Sequence, residues 1–106
     1  MAERDPLSGE EVAVHLAKWP GWSGSTERLT KTFAADFYAS TEFLRALVEP
    51  AQRLQHQPDI DLRWGKLTIS LTTYSAGGVV TELDFKTVTE IERVAAELGI
   101  SGVIQT

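Results

Sequence analysis

The alternation of apolar and polar positions switches between two periods along this chain. Ser8-Gly9-Glu10-Glu11 opens the first helical stretch as a capping box: the Ser hydroxyl can take an orphan amide, and a Glu three residues on reaches back. Val12, Leu16 and Trp19 follow at helical spacing, and Pro20-Gly21 ends the run. After the turn-rich Trp22–Thr26, residues Glu27 to Ala34 alternate as a strand, with Leu29 and Phe33 on one side and Arg28, Thr30 and Thr32 on the other. Lys31 falls on the apolar side, which predicts a strand near an edge. Asp36 to Leu54 returns to the helical period, with Phe43, Leu47, Pro50 and Leu54 on one face. Pro50 removes an amide donor and crowds the carbonyl of Ala46, at a cost of about 3 kcal/mol in a helix interior. The pattern predicts a kink there within one continuous helix.

Ile60, Leu62 and Trp64 alternate with Asp61 and Arg63; Leu67, Ile69, Leu71 and Thr73 alternate with Thr68, Ser70, Thr72 and Tyr74. Gly65-Lys66 between them fits a two-residue type II′ loop, so residues 59–74 are expected to form a β-hairpin with one apolar face. Thr81-Glu82-Leu83-Asp84 is a second capping box, with Asp in the acidic role. Val88, Ile91, Ala95 and Leu98 form the stripe of a third amphipathic helix, which Gly99 stops. The order is helix, strand, helix, hairpin, helix. An antiparallel hairpin rules out parallel crossovers throughout, and the simplest packing is one antiparallel sheet with the helices on one face, an α+β fold. Residues 1–7 read as a loose leader, 8–99 as a single domain and 100–106 as a short tail.

Composition narrows the function classes. At 106 residues the chain makes one small core, so self-association is a natural source of further burial. Ten Lys and Arg stand against fifteen Asp and Glu, and the basic residues are scattered singly apart from Arg28 with Lys31. Without a basic stripe the counterion-release contribution is missing, so neither nucleic acid nor an anionic membrane is an expected partner. With no cysteine, disulfides, thiolate catalysis and zinc–thiolate sites are excluded. The acidic start MAERDPLSGEE does not resemble a targeting peptide, and the expected setting is the cytoplasm.

There are two histidines. His15 lies within the first helix and reads as a surface or half-buried residue. His56 stands between the second helix and the hairpin, where loops on a rigid scaffold tend to carry function, and imidazole is suited to proton transfer at neutral pH. It could equally cap the helix C-terminus as a cation. No metal-ligand spacing, nucleophile elbow or phosphate-binding glycine loop is present.

The run His56-Gln57-Pro58-Asp59-Ile60-Asp61-Leu62-Arg63-Trp64, followed by Leu71-Thr72-Thr73-Tyr74, Gly77-Gly78 and Asp84, resembles the pterin-4a-carbinolamine dehydratases. Upstream, Leu16, Trp19, Gly21-Trp22, Phe33, Asp36-Phe37 and Phe43 keep the family's spacing, so the resemblance spans about residues 8–98. It implies a four-stranded antiparallel sheet with three helices on one face, the fourth strand lying near Trp22. It further implies a dimer or tetramer and loss of water from a 4a-hydroxytetrahydropterin with no metal or organic cofactor; the kink expected at Pro50 makes a dimer through the sheet edge the preferred form. By resemblance His56 is the acid–base group, and Gln57, Pro58, Trp64, Tyr74 and Asp84 contact the pterin. The family clusters three histidines; the second corresponds to Gln57 and the third to Tyr74, while Gln52 stands where an acidic residue is frequent. Two other readings accompany this one: a pocket turned to another small hydroxylated substrate, and a non-catalytic accessory that binds a protein partner.

Overall fold

The computed structural model describes residues 3–103. The elements are helix α1 (Gly9–Leu16), strands β1 (Ser23–Gly24) and β2 (Leu29–Ala34), helices α2 (Phe37–Ala46) and α3 (Val48–Leu54), strands β3 (Asp59–Arg63) and β4 (Lys66–Leu71), a 3₁₀ turn (Tyr74–Ala76), helix α4 (Glu82–Leu98) and strand β5 (Ser101–Gly102). All strand pairs are antiparallel, in the order β1-β2-β4-β3, and β5 shares with β1 the outer side of β2. Inward-facing Leu29, Phe33, Leu67, Ile69 and Leu71 meet Val12, Phe43, Leu47, Val88, Ile91 and Val94 of the helices in one core. The opposite sheet face carries hydroxyls that bond across strands, Thr30 to Ser70 at 3.1 Å and Thr32 to Thr68 at 2.9 Å. The fold is therefore α+β, with helices on one face of an antiparallel sheet, as the pattern and the resemblance implied. The expected strand near Trp22 is β1.

Both capping boxes form. Ser8 and Glu11 exchange bonds of 2.9 and 3.2 Å, and the Thr81 N–H donates to Asp84 Oδ2 at 2.9 Å. Three local expectations change, while β2 lies one short strand from the sheet edge, as Lys31 implied. The helix over 36–54 is broken at Leu47, three residues before Pro50, so the proline falls in the first turn of α3, where amide donors have no intrahelical acceptor anyway. The hairpin loop is Trp64-Gly65, not Gly65-Lys66, because Arg63 pairs with Lys66. Gly65 takes the second loop position with φ +69°, the requirement of a type II turn, and Trp64 is left at the tip. Lys31 is buried: its Nζ donates to Glu92 Oε2 at 2.7 Å and to the Pro20 carbonyl at 3.2 Å. It lies in the gap between β1 and β5, where a Cβ on Gly21 or Gly102 would come within 2.9 Å of its side chain. Finally, residues 3–7, expected as a loose leader, lie against the start of α4: Leu7 N–H donates to the Val80 carbonyl at 3.0 Å and Leu83 N–H to the Glu3 carbonyl at 3.1 Å. In the tail, Ser101–Gly102 pairs with β2, and residues 104–106 lie outside the described residues.

Helix α3 closes on a left-handed residue that is not glycine. Gln55 has φ 51° and ψ 45°; its N–H donates to the Gln52 carbonyl (3.2 Å) and the next N–H, of His56, to the Ala51 carbonyl (3.0 Å). This pair of bonds is the Schellman arrangement, which glycine usually completes. An L-residue pays roughly 1–2 kcal/mol for that conformation. Gln55→Gly should therefore raise the unfolding free energy by about 0.5–1 kcal/mol after the entropy glycine adds to the unfolded chain. It would appear as a higher urea midpoint with an unchanged slope.

Candidate functional site

The left-handed turn at Gln55 directs His56 toward the N-terminus of α4. There its Nε2 lies 2.6 Å from Asp84 Oδ1. His56 is 7% exposed and Asp84 fully buried. The other carboxylate oxygen, Oδ2, accepts from the Thr81 N–H (2.9 Å) and from the Thr73 hydroxyl (2.8 Å), and the Thr73 and Thr81 hydroxyls are 2.8 Å apart. Asp84 is thus both the acidic member of the capping box and the partner of the imidazole. Its place in the first turn of α4 also sets a negative charge against the positive end of the helix dipole. A carboxylate only accepts, so Nε2 carries the proton and Nδ1 keeps its lone pair. Nδ1 has no hydrogen-bond partner among the described residues. The ring opens on a groove of about 360 Å³ lined by Ala51, Gln52, Gln55 and Gln57. An imidazole with one nitrogen tied to a buried carboxylate and the other free can accept and return a proton at the free atom.

A second polar group borders the site. The Tyr74 hydroxyl donates to Asp59 Oδ2 at 2.6 Å, and Arg28 donates to the same oxygen at 2.9 Å and to the Tyr74 oxygen at 3.3 Å. The Tyr74 hydroxyl, followed by the Arg28 guanidinium, holds the Asp59 carboxyl below the usual carboxylate range. With the folded value depressed, this group stabilises the fold above the ordinary carboxylate range, and the contribution is lost as pH falls through the lowered value. Tyr74 is 63% exposed and lines a depression of about 440 Å³ with Arg28, Thr72 and the Gly77-Gly78 turn. Because its proton is committed to Asp59, the phenol offers a ligand an acceptor oxygen. Arg4 spans the two halves of the site, donating to the Gln55 carbonyl and to Ser75 Oγ, both at 3.2 Å.

Of the six residues the sequence singled out, the structure places His56 and Gln57 on one groove, Asp84 beneath His56 and Tyr74 at the neighbouring depression. Pro58 is half-buried and lines a small depression between α3 and α4 with Leu47, Pro50 and Ile91. Trp64 is not brought to the site. It stands 99% exposed at the hairpin tip, one residue beyond β3, whose four steps from Asp59 at about 3.3 Å each already reach roughly 13 Å. Gln52 offers no carboxylate to the imidazole; the carboxylate that meets it is Asp84, from α4. Sequence reasoning missed Asp59, Arg28 and Thr73. Thr73 directly precedes Tyr74 within the quoted run, so its place beside the site was legible; the contact of its hydroxyl with Asp84 was not. His15 bonds Glu82 at 2.9 Å and stacks on Phe85 with ring centroids 4.5 Å apart, a tie between α1 and α4. No group of three His, Asp or Glu among the described residues could hold a metal ion. No helix among them is long and apolar enough to cross a membrane.

Comparison with known proteins supplies the context. The family model for pterin 4 alpha carbinolamine dehydratase matches residues 5–94. A protein of Thermosynechococcus vestitus named for that dehydratase is 38% identical over 101 residues, covering 94% of this chain and 99% of its own. One from Nocardia farcinica with the same name is 37% identical over 90 residues, covering 84% and 94%. Among solved structures, the crystal structure of a transcriptional coactivator/pterin dehydratase from Brucella melitensis superposes with a TM-score of 0.79 at 28% identity, covering 86% of this chain and 99% of that one. The matched span takes in the α3 turn, the hairpin and the capping box of α4, the three pieces that bring His56 onto Asp84. The chain belongs to the pterin 4 alpha carbinolamine dehydratase family.

Proposed function

We propose that this protein dehydrates a 4a-hydroxytetrahydropterin with His56 as its one acid–base group. The observation that carries this reading is the imidazole held at Nε2 by a buried carboxylate, on a residue that lines the groove. As imidazolium, His56 gives its Nδ1 proton to the 4a-hydroxyl. The C–O bond breaks, water leaves, and the lone pair of the neighbouring ring nitrogen forms the C=N bond. The neutral imidazole then takes the proton from that nitrogen, which restores the imidazolium. One histidine used twice balances the reaction without a second. Asp84 supports the charged form, and Gln57 hydrogen-bonds the heterocycle without exchanging a proton. Tyr74 and Asp59 accept from the ligand at the other side. The groove is not filled by Tyr74 or Trp64, both of which stay exposed, and this favours a ligand-binding site over an accessory role. Stopped-flow dehydration of chemically generated 4a-hydroxytetrahydropterin tests the reading: turnover above the buffer rate supports it, and its absence would leave the partner-binding reading in place.

We further propose that the active form is a dimer joined along β3. Among the described residues the outer edge of this strand has no partner. An antiparallel two-fold through Leu62 sets Leu62 against Leu62 of the partner subunit, Ile60 against the partner's Trp64, and Asp61 against the partner's Arg63. Each pair matches in polarity, because Ile60 and Leu62 share the core side with Ile69 and Leu67 while Asp61 and Arg63 share the other. The pairing also covers an apolar groove of about 690 Å³ bordered by Phe37, Tyr38, Leu62 and Trp64. Trp64→Lys leaves the fold intact, since the side chain is free of contacts, and should weaken the dimer about 10²–10³-fold through loss of two buried indoles. Sedimentation velocity of both forms reads this directly; a wild-type monomer, or a variant that sediments as the wild type, would refute the pairing.

A further inference from the structure

Thr73 makes five hydrogen bonds in the interior and is fully buried. Its hydroxyl donates to Asp84 Oδ2 at 2.8 Å, so the 2.8 Å contact with Thr81 runs with Thr81 as donor. Its amide donates to the Val79 carbonyl (3.0 Å), and its carbonyl accepts from the Ala76 and Gly78 amides, both at 3.1 Å. The side chain thus reaches the His56–Asp84 pair from one side while the backbone ties down the turn that carries Tyr74. The β-branched side chain has few rotamers, so the direction of that hydroxyl is fixed by the backbone.

We propose that Thr73 is a positioning residue: by holding Asp84 Oδ2 in place it keeps Oδ1 on Nε2 of His56, fixes the imidazole as the Nε2–H tautomer and leaves Nδ1 as the atom that exchanges protons. Its catalytic meaning rests on the dehydratase reading; its structural content does not. Without the hydroxyl, Asp84 keeps only the Thr81 amide on Oδ2 and is free to turn about its side-chain bonds, and the imidazole loses a fixed acceptor.

The test is ¹⁵N–¹H correlation of the imidazole rings in the ligand-free protein, for wild type, Thr73→Ser and Thr73→Val. His15, bonded to Glu82 and without a hydrogen bond to Thr73, Asp84 or His56, is the internal control. The expected result is a single Nε2–H tautomer for His56 in wild type and in Thr73→Ser. Thr73→Val should lower the ratio of the Nε2–H to the Nδ1–H tautomer roughly tenfold, the size of one lost charge-assisted bond. His15 should not move. If Thr73→Val does not fold, Thr73→Ala removes the hydroxyl without adding a methyl and is read in the same way. A hydroxyl-free variant with the wild-type tautomer would overturn the proposal, as would a serine variant that has already lost it, because then the methyl and not the hydroxyl is what matters. In turnover the hydroxyl-free variant should lose kcat with KM unchanged. Wild-type protein with no turnover, but with the tautomer shift in the variant, would fail the dehydratase reading and leave the positioning role standing.

Discussion

Asp84→Ala should be among the most destabilising single substitutions in the chain, lowering the melting temperature by roughly 15 °C or more. The carboxylate is fully buried and accepts from an imidazole, a hydroxyl and an amide. Its removal strands three donors in the interior. Each unsatisfied donor costs about 1–3 kcal/mol, and breaking a buried charged network typically costs about 3–5 kcal/mol in all. A domain of this size has about 5–15 kcal/mol to lose, and each kcal/mol moves its melting temperature by about 4–8 °C. Asp84→Asn keeps the shape and loses less stability, but an amide cannot support an imidazolium, so turnover should fall with the fold intact. Thermal unfolding followed by circular dichroism checks the first expectation. An alanine variant that melts within about 2 °C of wild type would mean the network carries no weight.

His56→Ala should cost less stability than Asp84→Ala and should lower kcat by about 10²–10⁴-fold, the usual contribution of one positioned acid–base group. Asp84 keeps the Thr73 hydroxyl and the Thr81 amide on Oδ2 when the imidazole is gone, but Oδ1 loses its partner in the interior, at a cost of about 1–3 kcal/mol. The two variants separate the roles of the pair, Asp84 for structure and tautomer and His56 for the proton. A variant in which alanine at 56 turns over at the wild-type rate would move the chemistry elsewhere on the site, to Asp59 or to water.

Features with a local cause were readable in the sequence. Both capping boxes, the amphipathic stripes of α1 and α4 and the stop at Gly99 follow from residues within four positions of each other. The hairpin was readable too, but its loop was placed one residue late. Trp64-Gly65 and Gly65-Lys66 both put a glycine in a two-residue loop, and only the pairing of Arg63 with Lys66 chooses between them. That single step moved Trp64 from the apolar face to the tip. The break at Leu47 was displaced from Pro50 because a missing donor is cheapest in a first turn, so the helix restarts upstream of the proline. The site itself was half legible. His56 stood out by its place in the chain, whereas Asp84, 28 residues away, had a sufficient local reason for being acidic, and that reason hid its second bond. Arg28, Asp59 and Tyr74 come from three segments whose meeting depends on the order β1-β2-β4-β3. No periodicity in a single segment encodes that order.

The central claim is that one imidazole on a buried carboxylate suffices where the family clusters three histidines. Stopped-flow dehydration of 4a-hydroxytetrahydropterin by the wild-type protein tests it most directly, with His56→Ala run beside it as the control. The account predicts a rate that grows in proportion to wild-type protein and returns to the buffer rate in the variant. A wild-type rate equal to buffer across neutral pH would contradict it.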